Sequence, residues 1–441
     1  MTELNDSIGD AIQEVVHEIP KAELVRLLER KYSELGIKIR SAKLRAAAEH
    51  ILSGSEDDFS FEDERADAAE IELTEEDTNA ILAKVEDFVK NDVPAVLTKV
   101  SDEAAAGLYK TLESKWAREH QRQIKDLTRF QKRLENRYGD GLNKLRMLVT
   151  IAMEWGQEKY SRKLAGGHGV LSHLDDALLR LHVRACQVTT EILVLLGTGL
   201  ADGAMARWRT LHEIVTVAMI ISDHGEEVAE RYVKYQIVES KKALTAYEEC
   251  RDDLGYGPYS KEQEEKIRNG YAEVIAEYEK PFGEEYGWAA HILGEGPRRK
   301  VTFAILQRAA GMGVMRAYYQ MASYNVHASP KGIYFKLGQL EQSSKVLLAG
   351  MSNAGLVEPA QNAAISLGKL TLLVCNDRDA PAFENNVFVK VVDRLTREIP
   401  GRFADADWKL KLDDRFVQRY HRRPPTRFWR ALRTTLFGSV H

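Results

Sequence analysis

Apolar residues recur every three or four positions through the middle of the chain, and this spacing predicts helices. In the clearest run, eight large apolar residues between Ile124 and Leu148 fall on one helical face. No proline lies between Pro94 and Pro258, and the strict alternation of apolar and polar residues that is typical of strands is absent. We therefore predict an all-α protein built around a multi-helix bundle.

Glycine and proline residues mark the expected helix ends. At the start of the chain we expect a turn at Pro20 and then a helix over residues 21–35 that Gly36 closes. Near the other end, a helix over residues 387–398 is expected to stop at Pro400. The central region should divide into helices of about 15 to 30 residues. Its predicted breaks lie near residues 139–141, 165–169, 197–203, 252–258 and 294–297.

These patterns suggest five segments along the chain. We expect a small N-terminal helical module, an acidic linker, connecting helices, a central helical bundle, and a C-terminal helix followed by a tail rich in arginine and aromatic residues. Their predicted boundaries are residues 1–54, 55–78, 79–112, 113–374 and 375–441.

The formal charge of −5 is unevenly distributed. Residues 55–78 hold twelve acidic residues and one arginine, whereas residues 415–433 hold seven arginines and no acidic residue. Without these two segments, which contribute −11 and +7, the rest of the chain carries a charge of −1. The acidic segment is typical of a solvated linker, with a basic partner as the alternative.

The basic tail interleaves arginines with aromatic side chains, a pattern that suits phosphate contacts combined with stacking on bases. We expect it to bind RNA or another nucleic acid. The alternatives are contact with an acidic protein surface, including the acidic linker of the same or a neighbouring chain, and nonspecific attraction. The residues expected to contact nucleic acid are Arg415, Arg419, Arg422, Arg423, Arg427, Trp429, Arg430 and Arg433.

Several common classes of chemistry lack their sequence signatures. Three cysteines without a C-x-x-C pair indicate neither a disulfide framework nor a cysteine zinc site, and a reducing cytoplasm is the expected location. No apolar run is long enough to span a membrane, so no membrane partner is expected. Glycine-rich phosphate loops, the G-x-S-x-G elbow and the H-E-x-x-H zinc motif are absent. We therefore expect no cofactor and no metal.

Polar residues at helical spacing inside apolar helices are the best candidates for a site, because burying a charge without a partner is costly. They could form satisfied buried ion pairs, or they could line a cleft between helices with a positioned acid or base. The three sets are Arg184 with Glu191, Arg209 with Glu213, and Arg316 with Gln320, Ser323 and His327. The aromatic residues nearby are read as packing residues, with a ligand pocket as the alternative.

The same stretches carry a resemblance to a known family. The strings RWRTLHE, YGWA and SYNVHA, together with FQKRLENRYGDGLNKLRMLVTIAMEWG, resemble the signature of an uncharacterised bacterial all-helical family, a domain of unknown function. The resemblance covers residues 117–374. It implies a helical bundle whose marked positions are Arg209, Glu213, Tyr286, Trp288, Ser323 and His327.

At the level of the fold, the bundle is also similar to HEPN domains, which are helical ribonuclease and toxin-related domains. HEPN nucleases use R-x4-6-H, in which arginine holds the scissile phosphate and histidine moves a proton without a metal. The chain contains four matches, and about three are expected by chance from its composition. The number of matches therefore does not support nuclease activity. The four pairs are Arg45 with His50, Arg162 with His168, Arg207 with His212, and Arg415 with His421.

Two functions from different classes remain as hypotheses. The first is an RNA-directed effector, a metal-independent HEPN-like endoribonuclease in a toxin or phage-defence role. Its acid/base would be His327, its phosphate ligands Arg209 and Arg316, and its orienting groups Glu213 and Ser323. The second is a non-enzymatic sensor or scaffold that binds a protein partner, a second copy of the chain or a small ligand.

Overall fold

The computed structural model describes residues 2–54, 59–60, 71–166, 170–296, 300–339, 347–375 and 381–417. These residues form helices and no strand, which confirms the predicted all-α, multi-helix fold. None of the described helices is long and apolar enough to cross a membrane. The α-helices are α1 (Thr2–Glu34), α2 (Ser41–Leu52), α3 (Glu75–Asp87), α4 (Val93–Gly166), α5 (His173–Gly197), α6 (Ala201–His224), α7 (Glu226–Lys234), α8 (Gln236–Leu254), α9 (Lys261–Tyr278), α10 (Ala290–Leu293), α11 (Phe303–Ala309), α12 (Arg316–Val326), α13 (Pro330–Tyr334), α14 (Val357–Cys375) and α15 (Ala382–Val417).

The described residues fall into two compact units, and the boundary between them, at residues 122 and 123, lies inside α4. In the first unit, α1 and α2 enclose a small core of leucine and alanine. Helix α3 begins at a capping box, in which Thr74 accepts a hydrogen bond from the Asp77 backbone and the Asp77 carboxylate accepts one from Thr74. The predicted turn at Pro20 is wrong, because α1 continues through this proline, but Gly36 follows the end of that helix in a left-handed conformation as expected.

The second unit is built around α5, α6 and α14, which pack against one another. Helix α15 packs on α14, and α12 packs on α6. At the centre, the fully buried Trp208 of α6 donates a hydrogen bond from Nε1 to Ser366 Oγ of α14 at 3.0 Å. This bond satisfies the polar atom of the indole while its rings fill the core, and it fixes α6 against α14.

Two predicted helix ends in this unit are wrong, and one contact explains both. Helix α4 runs through Gly141, and α15 runs through Pro400. A Cβ atom on Gly141 would lie 2.7 Å from the ring of the fully buried Phe403, so the glycine gives this ring its space inside a continuous helix. Burial of Phe403 and Ile399 on either side of Pro400 stabilises α15 enough to offset the backbone hydrogen bond that proline removes. The other predicted breaks coincide with helix ends of the described residues, at Gly166, Gly197, Leu254 and Leu293.

Candidate functional site

Two arginines of α6 that are two residues apart point to different neighbours. A separation of two positions turns a helix by about 200°, so their side chains leave on opposite sides. Arg207 donates from Nε to Glu191 of α5 and from Nη1 to Thr210 at 3.2 Å. Arg184 lies 4.0 Å from the same carboxylate. The predicted pair of Arg184 and Glu191 therefore belongs to a separate ion-pair group between α5 and α6.

On the other side of α6, Arg209 joins Glu213 and Tyr319. Its Nε donates to Glu213 Oε1 at 3.1 Å and to the hydroxyl of Tyr319 at 3.0 Å. The Tyr319 hydroxyl donates in turn to Glu213 Oε1 at 2.6 Å, and the guanidinium carbon lies 4.9 Å from the centre of the Tyr319 ring. Three contacts of its own, together with the hydrogen bond between its two partners, thus fix the side chain of Arg209 in one position.

His327 completes this group from the end of α12. Its Nε2 lies 3.2 Å from Arg209 Nη1. Because a guanidinium can only donate, Nε2 accepts this hydrogen bond, which assigns a neutral imidazole with its proton on Nδ1. The imidazole is exposed, and the side chains of Arg209 and Glu213 keep 24% and 36% of their accessible surface. We refer to Arg209, Glu213, Tyr319 and His327 as the arginine–histidine cluster; a solvent-borne ligand can approach it.

Two of the predicted catalytic residues do not join the cluster. The hydroxyl of Ser323 donates to the backbone oxygen of Tyr319 within α12, at 2.8 Å. Arg316 is the exposed first residue of α12 and makes no hydrogen bond or ion pair with the described part of the chain. The helix presents Tyr319 to α6 and leaves Arg316 in solvent, although the sequence suggested that Arg316, Ser323 and His327 share a stripe. Of the five predicted catalytic residues, Arg209, Glu213 and His327 are in contact.

The contacts of the cluster shift the pKa values of its members. Partial burial alone would lower the pKa of Arg209, but hydrogen bonds to Tyr319 and Glu213 outweigh it and raise the value. Burial, followed by the hydrogen bond to the Glu213 carboxylate, raises the pKa of Tyr319. Arg209 therefore stays a cation and Tyr319 a neutral hydrogen-bond donor throughout the physiological range. Tyr319 is the member of the cluster that the sequence pattern did not predict, because it lies beside the stripe of Arg316, Ser323 and His327.

Two aromatic rings, those of Phe303 and Tyr286, pack next to the Tyr319 member of the cluster. Phe303 of α11 stacks on Tyr319 at 4.7 Å between ring centres, and Tyr286 lies 6.4 Å from Phe303. Burial and the charge of Glu213 raise the pKa of Tyr286 to about 12. Tyr286 has a left-handed backbone with φ of 52°, and a Cβ on the following Gly287 would lie 2.2 Å from the Phe282 carbonyl oxygen. The YGWA string thus encodes a tight turn that places Tyr286 near the cluster.

The R-x4-6-H match within α6 is a packing feature. His212 is fully buried, and its Nε2 lies 2.8 Å from the amide nitrogen of Gln307, which can only donate. Burial, followed by the charge of Lys369, lowers the pKa of His212 to about 4. A neutral, enclosed histidine cannot exchange a proton with a substrate in solvent, and Arg207 faces Glu191 instead. His168 and His421, from two other matches, lie outside the described residues.

The predicted nucleic-acid-binding tail also lies outside the described residues. Helix α15 includes Arg415 in its last turn, but the side chain of Arg415 and all residues from 418 onwards are not described. Most of the acidic linker, residues 55–58 and 61–70, likewise lies outside the described residues. In the described ranges, no group of three or more histidine, cysteine, aspartate or glutamate residues is arranged to hold a metal ion.

Comparison with known proteins finds a similarity to one family model and indicates no activity. Residues 175–344 match the model of a family of unknown function (DUF5677), which confirms the predicted resemblance to an uncharacterised family. No curated protein and no solved structure matches the chain. The likeness to HEPN domains gains no support from these comparisons. The matched residues contain the whole arginine–histidine cluster together with Tyr286 and Phe303.

Proposed function

We propose that the chain is an RNA-directed effector whose arginine–histidine cluster acts as a metal-independent endoribonuclease. The observation that carries the proposal is the contact between Arg209 and His327, which joins a fixed cation to a neutral imidazole at an accessible surface. This pair supplies the two groups that RNA cleavage by an internal hydroxyl needs, a phosphate ligand and a base. A toxin or phage-defence role is the expected setting, and it rests on the fold-level likeness to HEPN domains alone.

In the proposed reaction, binding of RNA breaks the hydrogen bond from Arg209 Nη1 to His327 Nε2. His327 Nε2 then accepts the proton of a ribose 2′-hydroxyl. The oxygen attacks the adjacent phosphorus, and the bond to the 5′-oxygen breaks. The 5′-oxygen takes up a proton from water as it leaves, and His327 returns the proton it accepted to solvent, so the products are a 2′,3′-cyclic phosphate and a 5′-hydroxyl. Arg209 would neutralise the charge that develops on the non-bridging phosphate oxygens. Its Nη2 hydrogen-bonds no described residue and remains available to phosphate, while Glu213 and Tyr319 hold the guanidinium through Nε.

The test compares the wild type with His327→Ala on total RNA in the presence of EDTA. We expect the wild type to cleave and His327→Ala to be slower by about 10² to 10⁴. The control is His224→Ala, which removes another exposed histidine, in the last turn of α6, and should cleave like the wild type. Cleavage by neither the wild type nor the variant would contradict the nuclease proposal.

In this proposal the seven arginines of residues 415–433 supply long-range attraction for RNA. Truncation after Val417 should weaken RNA retention, and the loss should be largest at low salt. The dependence of retention on salt should become shallower as well, because fewer phosphates are neutralised. RNA retention that is unchanged by the truncation at low salt would contradict a role for this segment in binding RNA. It would not bear on the cleavage site, which the His327→Ala experiment tests.

A non-enzymatic sensor or scaffold is the second candidate. The observation that favours it is that Arg209, Glu213 and Tyr319 satisfy one another's hydrogen bonds, as expected of a polar group that fixes packing. Under this hypothesis, Arg209→Ala would lower the stability of the protein and no variant of the cluster would change any reaction of RNA. The cleavage experiment therefore separates the two candidates.

A further inference from the structure

A shallow groove between α4 and the first turns of α15 has an apolar floor. Its volume is about 550 Å³. Trp155 and Phe388 stack across it at 4.0 Å between ring centres, and Phe383 at its end is 81% exposed. Large apolar side chains in water are unfavourable, so a groove of this kind favours a partner with apolar side chains of its own. The lining residues are Ile151, Glu154, Trp155, Glu158, Phe383, Glu384, Val387, Phe388 and Val391.

The polar residues that line the groove are all acidic. Glu154 and Glu384 are exposed and pair with no described residue. Glu158 pairs with Arg162 at 3.1 Å, and the guanidinium of Arg162 lies over the ring of Trp155, 5.2 Å from its centre. Two of the lining residues, Glu158 and Trp155, thus already contact an arginine, and Glu154 and Glu384 are carboxylates that pair with no described residue. Arginine and aromatic side chains together match this surface in charge and polarity.

The chain contains a segment of this composition. Residues 415–433 combine seven arginines with Phe416, Tyr420, Phe428 and Trp429, and they contain no acidic residue. We propose that the groove binds residues 415–433 of a second copy of the chain. The carboxylates would pair with arginines, and the apolar floor would cover aromatic rings.

The length of α15 favours a second copy over the same chain. From Val391 in the groove to Val417, where the described helix ends, α15 extends about 39 Å at 1.5 Å per residue. The next six residues, 418–423, span at most about 22 Å even when fully extended. Four of the seven arginines of the segment, those up to Arg423, therefore cannot return to the groove of their own chain. A second copy has no such limit.

Binding of the segment in the groove would compete with binding of RNA, because both use the same arginines. High RNA concentrations should then dissociate the pair of chains. The proposal does not depend on the nuclease activity: the groove would bind the segment equally in a protein with no catalytic function.

The test is the oligomeric state of the full-length protein, measured by sedimentation velocity at low salt. We expect a concentration-dependent dimer for the wild type. The groove variant Glu154→Arg/Glu384→Arg should raise the dissociation constant at least tenfold, and truncation after Val417 should do the same. The control is Glu262→Arg/Glu265→Arg, which makes the same change in charge at exposed positions of α9 and should remain a dimer. Thermal melts establish that each variant is folded.

Complementation makes the experiment decisive. The tail variant Arg427→Glu/Arg430→Glu/Arg433→Glu keeps the groove intact, and the groove variant keeps the tail intact. Each should be monomeric alone, and their mixture should form a heterodimer through one intact contact. A monomeric wild type, a dimer that persists in the groove variant or after truncation, or a mixture that stays monomeric would overturn the proposal.

Discussion

The two sides of α6 show how similar sequence patterns can serve different purposes. On the buried side, Trp208 and His212 each hydrogen-bond one neutral partner and have no exposure to solvent. On the open side, Arg209 and Glu213 are charged, partly exposed and joined to residues of a second helix. Both sides carry polar residues at helical spacing. The difference lies in solvent access and in charge, so spacing alone cannot distinguish a packing interaction from a site.

The two histidines give the sharpest form of this comparison. His212 belongs to an R-x4-6-H match but is enclosed, and its pKa is lowered to about 4. His327 belongs to no such match, yet its imidazole contacts Arg209 and is exposed. A proton acceptor for a solvent-borne substrate needs access, which only His327 of these two has. We therefore expect His212 variants to change stability and His327 variants to change activity.

The largest expected effect is on the open side. Arg209→Ala should lower the rate of RNA cleavage by about 10² to 10³, because it removes the cation that stabilises the transition state. Arg209→Lys should recover a small part of the rate, since an ammonium cannot donate in the planar arrangement of a guanidinium. Single-turnover cleavage measures both variants. Arg207→Ala is the matched control, because Arg207 belongs to the same helix but pairs with Glu191 of α5. A similar loss of cleavage in Arg207→Ala would contradict a specific role for Arg209.

Substitutions on the buried side of α6 should lower the stability of the protein and not its activity. Trp208→Ala is expected to lower the free energy of unfolding by about 3 to 5 kcal/mol, because it leaves a cavity in the core. Trp208→Phe should cost less, since it keeps most of the apolar volume and loses the hydrogen bond to Ser366. Urea denaturation measures both. A cost below about 1 kcal/mol for Trp208→Ala would mean that this part of the core is not well packed.

Stability should also fall in mild acid because of the buried histidines. The pKa of His212 is about 4 in the folded protein, and the value for an unperturbed histidine is 6.5, so the unfolded chain binds the proton more tightly. Burial of the neutral His212 therefore contributes to the free energy of unfolding at a pH above 6.5. This contribution, on the order of 3 kcal/mol, is lost as the pH falls towards 4. His212→Asn should therefore flatten the profile of unfolding free energy against pH in this window. An equally steep profile would contradict the assignment; the buried His182, with a pKa of about 4, contributes a similar slope in both proteins.

The smallest expected effect concerns the ion pair of Arg207 and Glu191. Both side chains are partly exposed, so a double-mutant cycle with alanine at each position should give a coupling energy of about 0 to 1 kcal/mol. Urea unfolding of the four proteins measures this coupling. A value well above this range would indicate that the pair organises α5 and α6 as strongly as the buried bonds do.

The sequence predicted much of the fold because local signals decide where most helices end. The ends at Gly166 and Gly197 fall where glycines interrupt an apolar pattern. The failures at Gly141 and Pro400 share one cause, which is packing between residues far apart in sequence: Gly141 leaves space for Phe403, and burial of Phe403 stabilises the helix through Pro400. The sequence alone does not distinguish a glycine that ends a helix from a glycine that leaves room for a neighbouring side chain inside a helix.

The site was predictable only in part, for a related reason. The four-residue spacing of Arg209 and Glu213 within one helix predicted their contact. The rotation of α12 about its axis is set by packing and is not encoded in spacing. For that reason the sequence did not predict that Tyr319 faces α6 while Arg316 lies in solvent. It also did not predict that Arg184 and Glu191 form an ion-pair group with Arg207, away from the cluster.

The chemistry of the RNA ends tests the central claim most directly. RNA incubated with the full-length protein in EDTA should acquire 2′,3′-cyclic phosphate and 5′-hydroxyl ends, and the same RNA incubated with His327→Ala should not. Ends with a 3′-hydroxyl and a 5′-phosphate, or cyclic phosphate ends produced equally by the wild type and His327→Ala, would contradict a catalytic role for the contact between Arg209 and His327.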